Sequence, residues 1–180
     1  MSLIIIAVIV ALVLWFVKVQ NLLVKLDELC KNALKQINVQ QVSRYDAIGA
    51  LVKLTREYSS YESETLQKIV EARKITTSAN PSIEDINRNE AALKEVSAKI
   101  VAVAEQYPDL KANQQYSKTM DEITNYEENV RLSRMTFNDT VTRFNQQARM
   151  FPGSIVASIL GFPAKEYLAE DNSKKDYPNF

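Results

Sequence analysis

The stretch that decides the fold covers residues 116–151 and reads YSKTMDEITNYEENVRLSRMTFNDTVTRFNQQARMF. Its inward positions recur in alternating steps of four and three over five heptads, which predicts a long amphipathic helix packed along its whole length. Those positions are Tyr116, Met120, Ile123, Glu127, Val130, Arg134, Phe137, Val141, Phe144, Ala148 and Phe151. Pro152 and Gly153 follow at once and predict the end of this helix.

Two further amphipathic patterns lie upstream of the heptads. One runs from Val19 to about Ser78 and is interrupted only by Gly49, where we expect a bend or a close helix approach. The next runs from about Ile83 to Tyr107, after a turn at Asn80-Pro81 and a predicted capping box begun by Ser82. The spacing therefore predicts an all-α chain with an N-terminal transmembrane helix. That helix continues into a long antiparallel bundle of three long helices plus a short C-terminal one.

The N-terminus carries fifteen consecutive apolar residues, LIIIAVIVALVLWFV, from Leu3 to Val17. With Lys18 snorkelling and apolar residues beyond it, a span of about 20 residues becomes long enough to cross a bilayer. A signal peptide is the alternative, but it would need a basic n-region and a small-residue cleavage site. We therefore expect a retained anchor at 1–18 in contact with lipid, a bundle at 19–169 and a polar tail at 170–180. The lysines follow the anchor, so the positive-inside rule predicts an inner-membrane protein with an outside N-terminus and a cytoplasmic bundle.

Composition excludes several classes of function. The chain has no histidine, one cysteine, three glycines and a net charge of zero. These counts leave no Cys/His metal site, no histidine-based nucleophile and no room for a Gly-rich phosphate loop. A neutral chain also argues against a dedicated nucleic-acid binder. We expect no enzymatic activity, no cofactor and no metal.

Charged residues occupy two heptad positions where apolar residues belong. Glu127 and Arg134 are seven residues apart, too far to pair with each other, and Arg44 holds a comparable inward position on the first helix. We predict an Arg44–Glu127 contact or a wider charge network that also involves Arg134. A buried pair of this kind fixes helix register, because misregister leaves it unpaired. A ligand site and a charge that reaches solvent are the alternatives.

Two other segments are candidate interaction sites. Tyr107, Pro108 and Asp109 form a predicted helix corner, which either sets helix packing or docks a partner. A short apolar segment near the C-terminus either packs on the bundle or forms an oligomer contact, or else presses on the membrane. Its residues are Ile155, Ile159, Leu160 and Phe162. Cys30 is predicted to be a small buried residue, since no neighbour would activate its thiol.

Several blocks resemble the LemA family. They are YDAIGALV at 45–52, YSSYESETLQKIVEAR at 58–73, AVAEQYPDLKAN at 102–113, Phe137-Asn138, Phe144-Asn145 and Gly161-Phe162. The third block is the most specific. The resemblance implies a helical bundle with a membrane helix, a short outside N-terminus and a cytoplasmic body, and it assigns no settled molecular activity.

Pattern and resemblance together predict a non-enzymatic single-pass membrane protein. In the first hypothesis it associates with copies of itself through its bundle and acts as a membrane scaffold or organiser. In the alternative it is a monomeric adaptor or sensor that docks another membrane protein, such as a protease or receptor.

Overall fold

The computed structural model describes residues 1–55, 68, 71 and 80–169. All regular elements in those ranges are helices, which confirms the all-α prediction. They are α1 Ser2–Thr55, α2 Ile83–Gln106, α3 Pro108–Lys111, α4 Gln114–Arg149 and α5 Gly153–Leu160. The part of the first predicted helix beyond Thr55 falls almost wholly outside the described residues, and so does the predicted tail at 170–180.

Helix α1 joins the apolar run to the bundle without a break, as the sequence predicts. It has 54 residues and spans about 80 Å at 1.5 Å per residue. Residues 1–14 are all exposed, and burial begins at Val19 and Leu23. The helix therefore changes surroundings along its length while its backbone remains helical.

The described chain divides into two compact units. One consists of Met1–Ala33 and Met135–Ala169, and we call it the N/C unit. The other contains Leu34–Arg134, and we call it the central unit. Helices α1 and α4 each contribute residues to both, whereas α2 and α3 belong to the central unit and α5 belongs to the N/C unit.

Contacts within the central unit give the helix directions. Gln41 and Arg44 of α1 reach Ile86 and Glu90 of α2, so these two helices run parallel. Asn87 of α2 meets Arg134 of α4, and Arg44 joins Glu90 to Glu127, so α4 runs antiparallel to both. Their apolar faces meet in one core, formed by Tyr45, Ile48, Leu51, Val52, Leu93, Val96, Ile100, Ala104, Leu110, Tyr116 and Ile123.

Local chemistry sets the helix ends. The predicted capping box at the start of α2 is confirmed: the Asp85 backbone N–H donates to Ser82 Oγ, and the Ser82 backbone N–H donates to the Asp85 carboxylate, each at 3.0 Å. At the other end of the chain, α5 stops at Gly161, whose φ of 71° is the left-handed conformation that favours glycine.

Two glycines inside the fold behave differently. Among the described residues, a Cβ built at Gly49 would meet nothing within 4 Å, so the expected close helix approach is not found there. Gly153 is the tight position instead: a Cβ there would lie 2.3 Å from the backbone oxygen of Gln147. The turn from α4 into α5 therefore needs a residue without a side chain.

Candidate functional site

The apolar start of α1 is one candidate site. Among the described residues, one helix is long enough and apolar enough to cross a membrane, and that helix is α1. Its most apolar window is almost entirely exposed. A helix of a soluble core would bury one face, so exposure on all sides favours a lipid environment. This segment is therefore suited to contact acyl chains over most of its circumference.

A charge network lies inside the central unit. Arg44 is fully buried, and its Nη1 donates to Glu90 Oε1 at 2.8 Å. Its Nη2 donates to the Glu127 carboxylate, which is the contact predicted between Arg44 of the first helix and the charged heptad position of α4. Gln41, also fully buried, donates through Nε2 to the Ile86 carbonyl oxygen at 3.0 Å and to Glu90 Oε2 at 3.3 Å.

The two carboxylates of the network differ in their exposure to solvent. The Glu90 side chain is 14% exposed, whereas that of Glu127 is 47% exposed. The Arg44 guanidinium thus compensates one carboxylate that water scarcely reaches and one that water already screens. If α1 slipped out of register, the Glu90 carboxylate would lose the guanidinium that compensates it.

The third predicted member of the network has a separate partner. Arg134 Nη2 donates to Asn87 Oδ1 at 3.2 Å, on α2. Arg134 therefore contacts α2 seven residues after Glu127 on α4, whereas Glu127 itself contacts Arg44 of α1.

In the part of the chain that the structure describes, several buried polar atoms of the central unit lack a hydrogen-bond partner. They include the Tyr45 hydroxyl, both side-chain polar atoms of Asn89 and Nε of Arg44. Burial raises the pKa of Tyr45 well above its ordinary value, and the nearby Glu90 carboxylate raises it further. The raised pKa makes this phenol a weaker acid than an exposed tyrosine.

Lys165 organises the N/C unit. Its Nζ lies 2.6 Å from Asp27 Oδ1 on α1 and 4.8 Å from the ring centroid of Phe144 on α4. Lys31 also pairs with Asp27, at 2.8 Å. Burial raises the pKa of Asp27, but the hydrogen bonds from Lys165 and Lys31 outweigh it and hold that pKa below its ordinary value.

Two asparagines of α4 bind the segment after α5 by its backbone. Asn145 donates to the Lys165 carbonyl oxygen at 2.9 Å and accepts from the Lys165 N–H at 2.8 Å. Asn138 likewise donates to the Leu168 carbonyl oxygen at 3.0 Å and accepts from the Leu168 N–H at 2.9 Å. Each amide satisfies one donor and one acceptor, so a segment without helix or strand is held against α4.

Sequence reasoning missed this role for the asparagines, although a signal was present. The dipeptide Phe-Asn occurs twice in α4, at 137–138 and 144–145, seven residues apart. In each copy the phenylalanine is buried and the next residue holds the returning segment. The repeated asparagine next to each inward phenylalanine was the available signal. The apolar periodicity does not include it, because that pattern considers only the inward positions.

The remaining predicted residues are divided between turns, the surface and the interior of the fold. Tyr107, Pro108 and Asp109 are exposed at the start of α3, which the buried Leu110 fastens to the central core. Cys30 is buried, and burial raises the pKa of its thiol. Ile155, Ile159 and Leu160 are exposed, while the Phe162 ring packs edge-on against Phe144 with centroids 6.1 Å apart. Within the described ranges, no group of three or more His, Cys, Asp or Glu side chains is arranged to hold a metal ion.

Together these features define a class: a helical bundle whose first helix continues into a segment suited to a membrane. The LemA family profile matches residues 33–180, and the chain belongs to the LemA family. The match begins after the apolar run of α1, so the family assignment rests on the helical body. A comparison with curated proteins found no match.

Proposed function

We propose that this protein is a non-enzymatic single-pass membrane scaffold of the LemA type, which associates with copies of itself. The observation that carries the proposal is the continuity of α1, from an exposed apolar segment into a packed helical body. Because no loop separates the two parts, the bilayer and the bundle share one stiff element. A protein built in this way organises a membrane through its shape and its contacts.

The orientation follows from charge. No lysine or arginine precedes the apolar run, whereas Lys18, Lys25, Lys31 and Lys35 follow it. The positive-inside rule then places the N-terminus outside and the bundle in the cytoplasm, at the inner membrane. Accessibility of Cys30 is a poor reporter of this orientation because its side chain is buried, so an exposed cysteine introduced at Glu28 serves better. Labelling by an impermeant maleimide only after the cells are opened supports a cytoplasmic bundle.

An exposed apolar stripe on α1 supports self-association. Trp15, Leu22 and Leu29 repeat at a spacing of seven, and both leucines remain exposed. A seven-residue repeat on parallel helices is the pattern of a coiled-coil seam. Copies anchored in one membrane have their α1 helices parallel, so this stripe is available for contact between them.

Light scattering of the full chain in detergent, over a range of concentrations, tests the proposal. We expect assemblies of more than one copy, which Leu22→Gln with Leu29→Gln weakens. The control is Glu28→Gln, an exposed change on the same turn of α1, which should leave the assembly intact. A monomer at every concentration contradicts self-association.

The alternative is a monomeric adaptor that docks another membrane protein. The exposed corner of Tyr107, Pro108 and Asp109 favours it, since a corner fastened by a buried neighbour presents a rigid surface. A monomer that purifies in a fixed ratio with one membrane protein would favour this function over the scaffold.

A further inference from the structure

The corner between α4 and α5 exposes a group of large apolar side chains. We define the α4–α5 corner as Met150, Phe151, Ile155 and Ile159, all of them exposed. Phe151 is 80% exposed and Ile159 is 66% exposed. Helix α5 buries Val156 and Ala157 on its other side, so its packing on the bundle is already satisfied. The bare face therefore calls for a second apolar environment.

Helix register gives the level of this corner within the N/C unit. Lys165 bonds to Asp27 on α1 and to Asn145 on α4, so those two residues lie at about the same level. Arg149, where α4 ends, follows Asn145 by four residues, about 6 Å along the axis, and Phe151 lies two residues beyond that end. Because α1 and α4 run antiparallel, this brings the end of α4 level with about residue 23 of α1.

That level coincides with the boundary of the hydrocarbon core. Crossing about 30 Å takes about 20 helical residues, and a count from Leu3 ends near Leu22. This step rests on the proposed function, in which α1 spans the bilayer. Under that condition, Phe151 lies where acyl chains give way to headgroups.

Charge points to the same surface. Residues 1–26 and 140–165 contain no aspartate or glutamate. They carry five cations, namely Lys18, Lys25, Arg143, Arg149 and Lys165. All of these except Lys165 are exposed, and Lys165 pairs with Asp27. Apolar side chains rimmed by exposed cations are typical of a surface that binds anionic lipid.

We propose that the α4–α5 corner is a second membrane contact, which inserts into the anionic lipid surface beside α1. Phe151 and Ile159 enter the boundary between headgroups and acyl chains, and Arg149 and Lys18 face the phosphates. Two points of attachment then restrict rotation of the N/C unit about the axis of α1. A second copy fits this surface less well, because two such corners face to face would bring like charges together.

Fluorescence quenching by spin-labelled lipid tests the contact in the full chain. In a Cys30→Ala background, Phe151→Cys and Ile159→Cys each carry an environment-sensitive dye in vesicles of phosphatidylcholine and phosphatidylglycerol. The control is Asp139→Cys, an exposed position of α4 that lies ten residues, about 15 Å, before the end of that helix at Arg149. We expect nitroxides near the headgroups to remove most of the fluorescence at 151 and 159 and little of it at 139.

Trp15, the single tryptophan, separates failure of the contact from failure of the anchor. In unlabelled protein its emission should be quenched by nitroxides on the acyl chains. If Trp15 is quenched while the dyes at 151 and 159 are not, the corner contact is overturned and the anchor stands. If Trp15 is not quenched either, both fall. Crosslinking of Phe151→Cys between copies, without lipid quenching, would assign the corner to a second copy and overturn the proposal.

Discussion

Replacing Arg44 by methionine tests the charge network most severely. The change keeps a long apolar stem inside the central unit and removes the guanidinium that contacts Glu90 and Glu127. Glu90 is then left as a carboxylate that water scarcely reaches, with Gln41 as its remaining described donor. The bundle must either keep an uncompensated charge or take up a proton.

The size of the effect follows from the burial of each partner. Breaking a buried pair by removing one member costs about 3–5 kcal/mol. For a domain of this size, that loss lowers the midpoint of thermal unfolding by roughly 6–20 °C. Glu127→Gln should cost no more than about 1 kcal/mol, because the Glu127 side chain is nearly half exposed and solvent screens its charge.

Far-UV circular dichroism of the full chain in detergent measures these changes on heating. The matched control is Lys118→Met, which makes a comparable cation-to-methionine change at an exposed position of α4. The double variant with Arg44→Met and Glu90→Gln should regain much of the loss, since the neutral amide no longer needs a cation. If Arg44→Met unfolds within about 1 kcal/mol of the Lys118 control, the network does not stabilise the bundle and the reasoning fails.

Three further predictions concern the helix ends and the N/C unit. Gly153→Ala should destabilise the fold by about 1–3 kcal/mol, because its Cβ would overlap the Gln147 carbonyl. Gly49→Ala should instead stabilise the fold by about 0.5–1 kcal/mol, and thermal unfolding of both variants measures the difference. Ser82→Ala should cost about 1 kcal/mol through loss of the capping box, and an unchanged midpoint would mean that the cap is idle. Burial raises the pKa of Asp27, yet lysine contacts lower it overall, so its stabilising effect is present above the unfolded-state pKa of about 4 and is lost as pH falls through the lowered value. Asp27→Asn should therefore unfold with a weaker dependence on acid than the wild type.

Periodicity predicted the long helices because each is patterned along most of its face. The last heptad position was wrong, since Phe151 lies beyond the end of α4 and is 80% exposed. The heptads of α4 placed Glu127 inward, and the first helix placed Arg44 inward, from spacing alone. Glu90 also faces inward, four residues after the buried Ile86. It went unnoticed because a charged residue at such a position interrupts the apolar pattern from which the helix was predicted. Spacing on one helix cannot tell which charge of another helix will meet it, since that depends on register between them.

Two other outcomes show what a one-dimensional pattern omits. Gly49 suggested a close approach because glycine is rare in this chain, but no described residue lies within 4 Å of a Cβ built there. The backbone contacts of Asn138 and Asn145 arise because the segment beyond α5 folds back without forming a helix. That segment has no period of its own, so its partner could only be found in three dimensions.

The number of copies that assemble in a bilayer tests the central claim most directly. Full-length protein with one dye per chain, at Asp139→Cys in a Cys30→Ala background, can be counted by stepwise photobleaching in sparsely loaded vesicles. Asp139 is exposed and lies apart from both the α1 stripe and the α4–α5 corner in sequence. The scaffold account predicts several bleaching steps in most vesicles that hold protein, with a shift to single steps when Leu22 and Leu29 are both changed to glutamine. The account would be contradicted if the protein with Leu22 and Leu29 intact gave only single bleaching steps at every protein-to-lipid ratio tested.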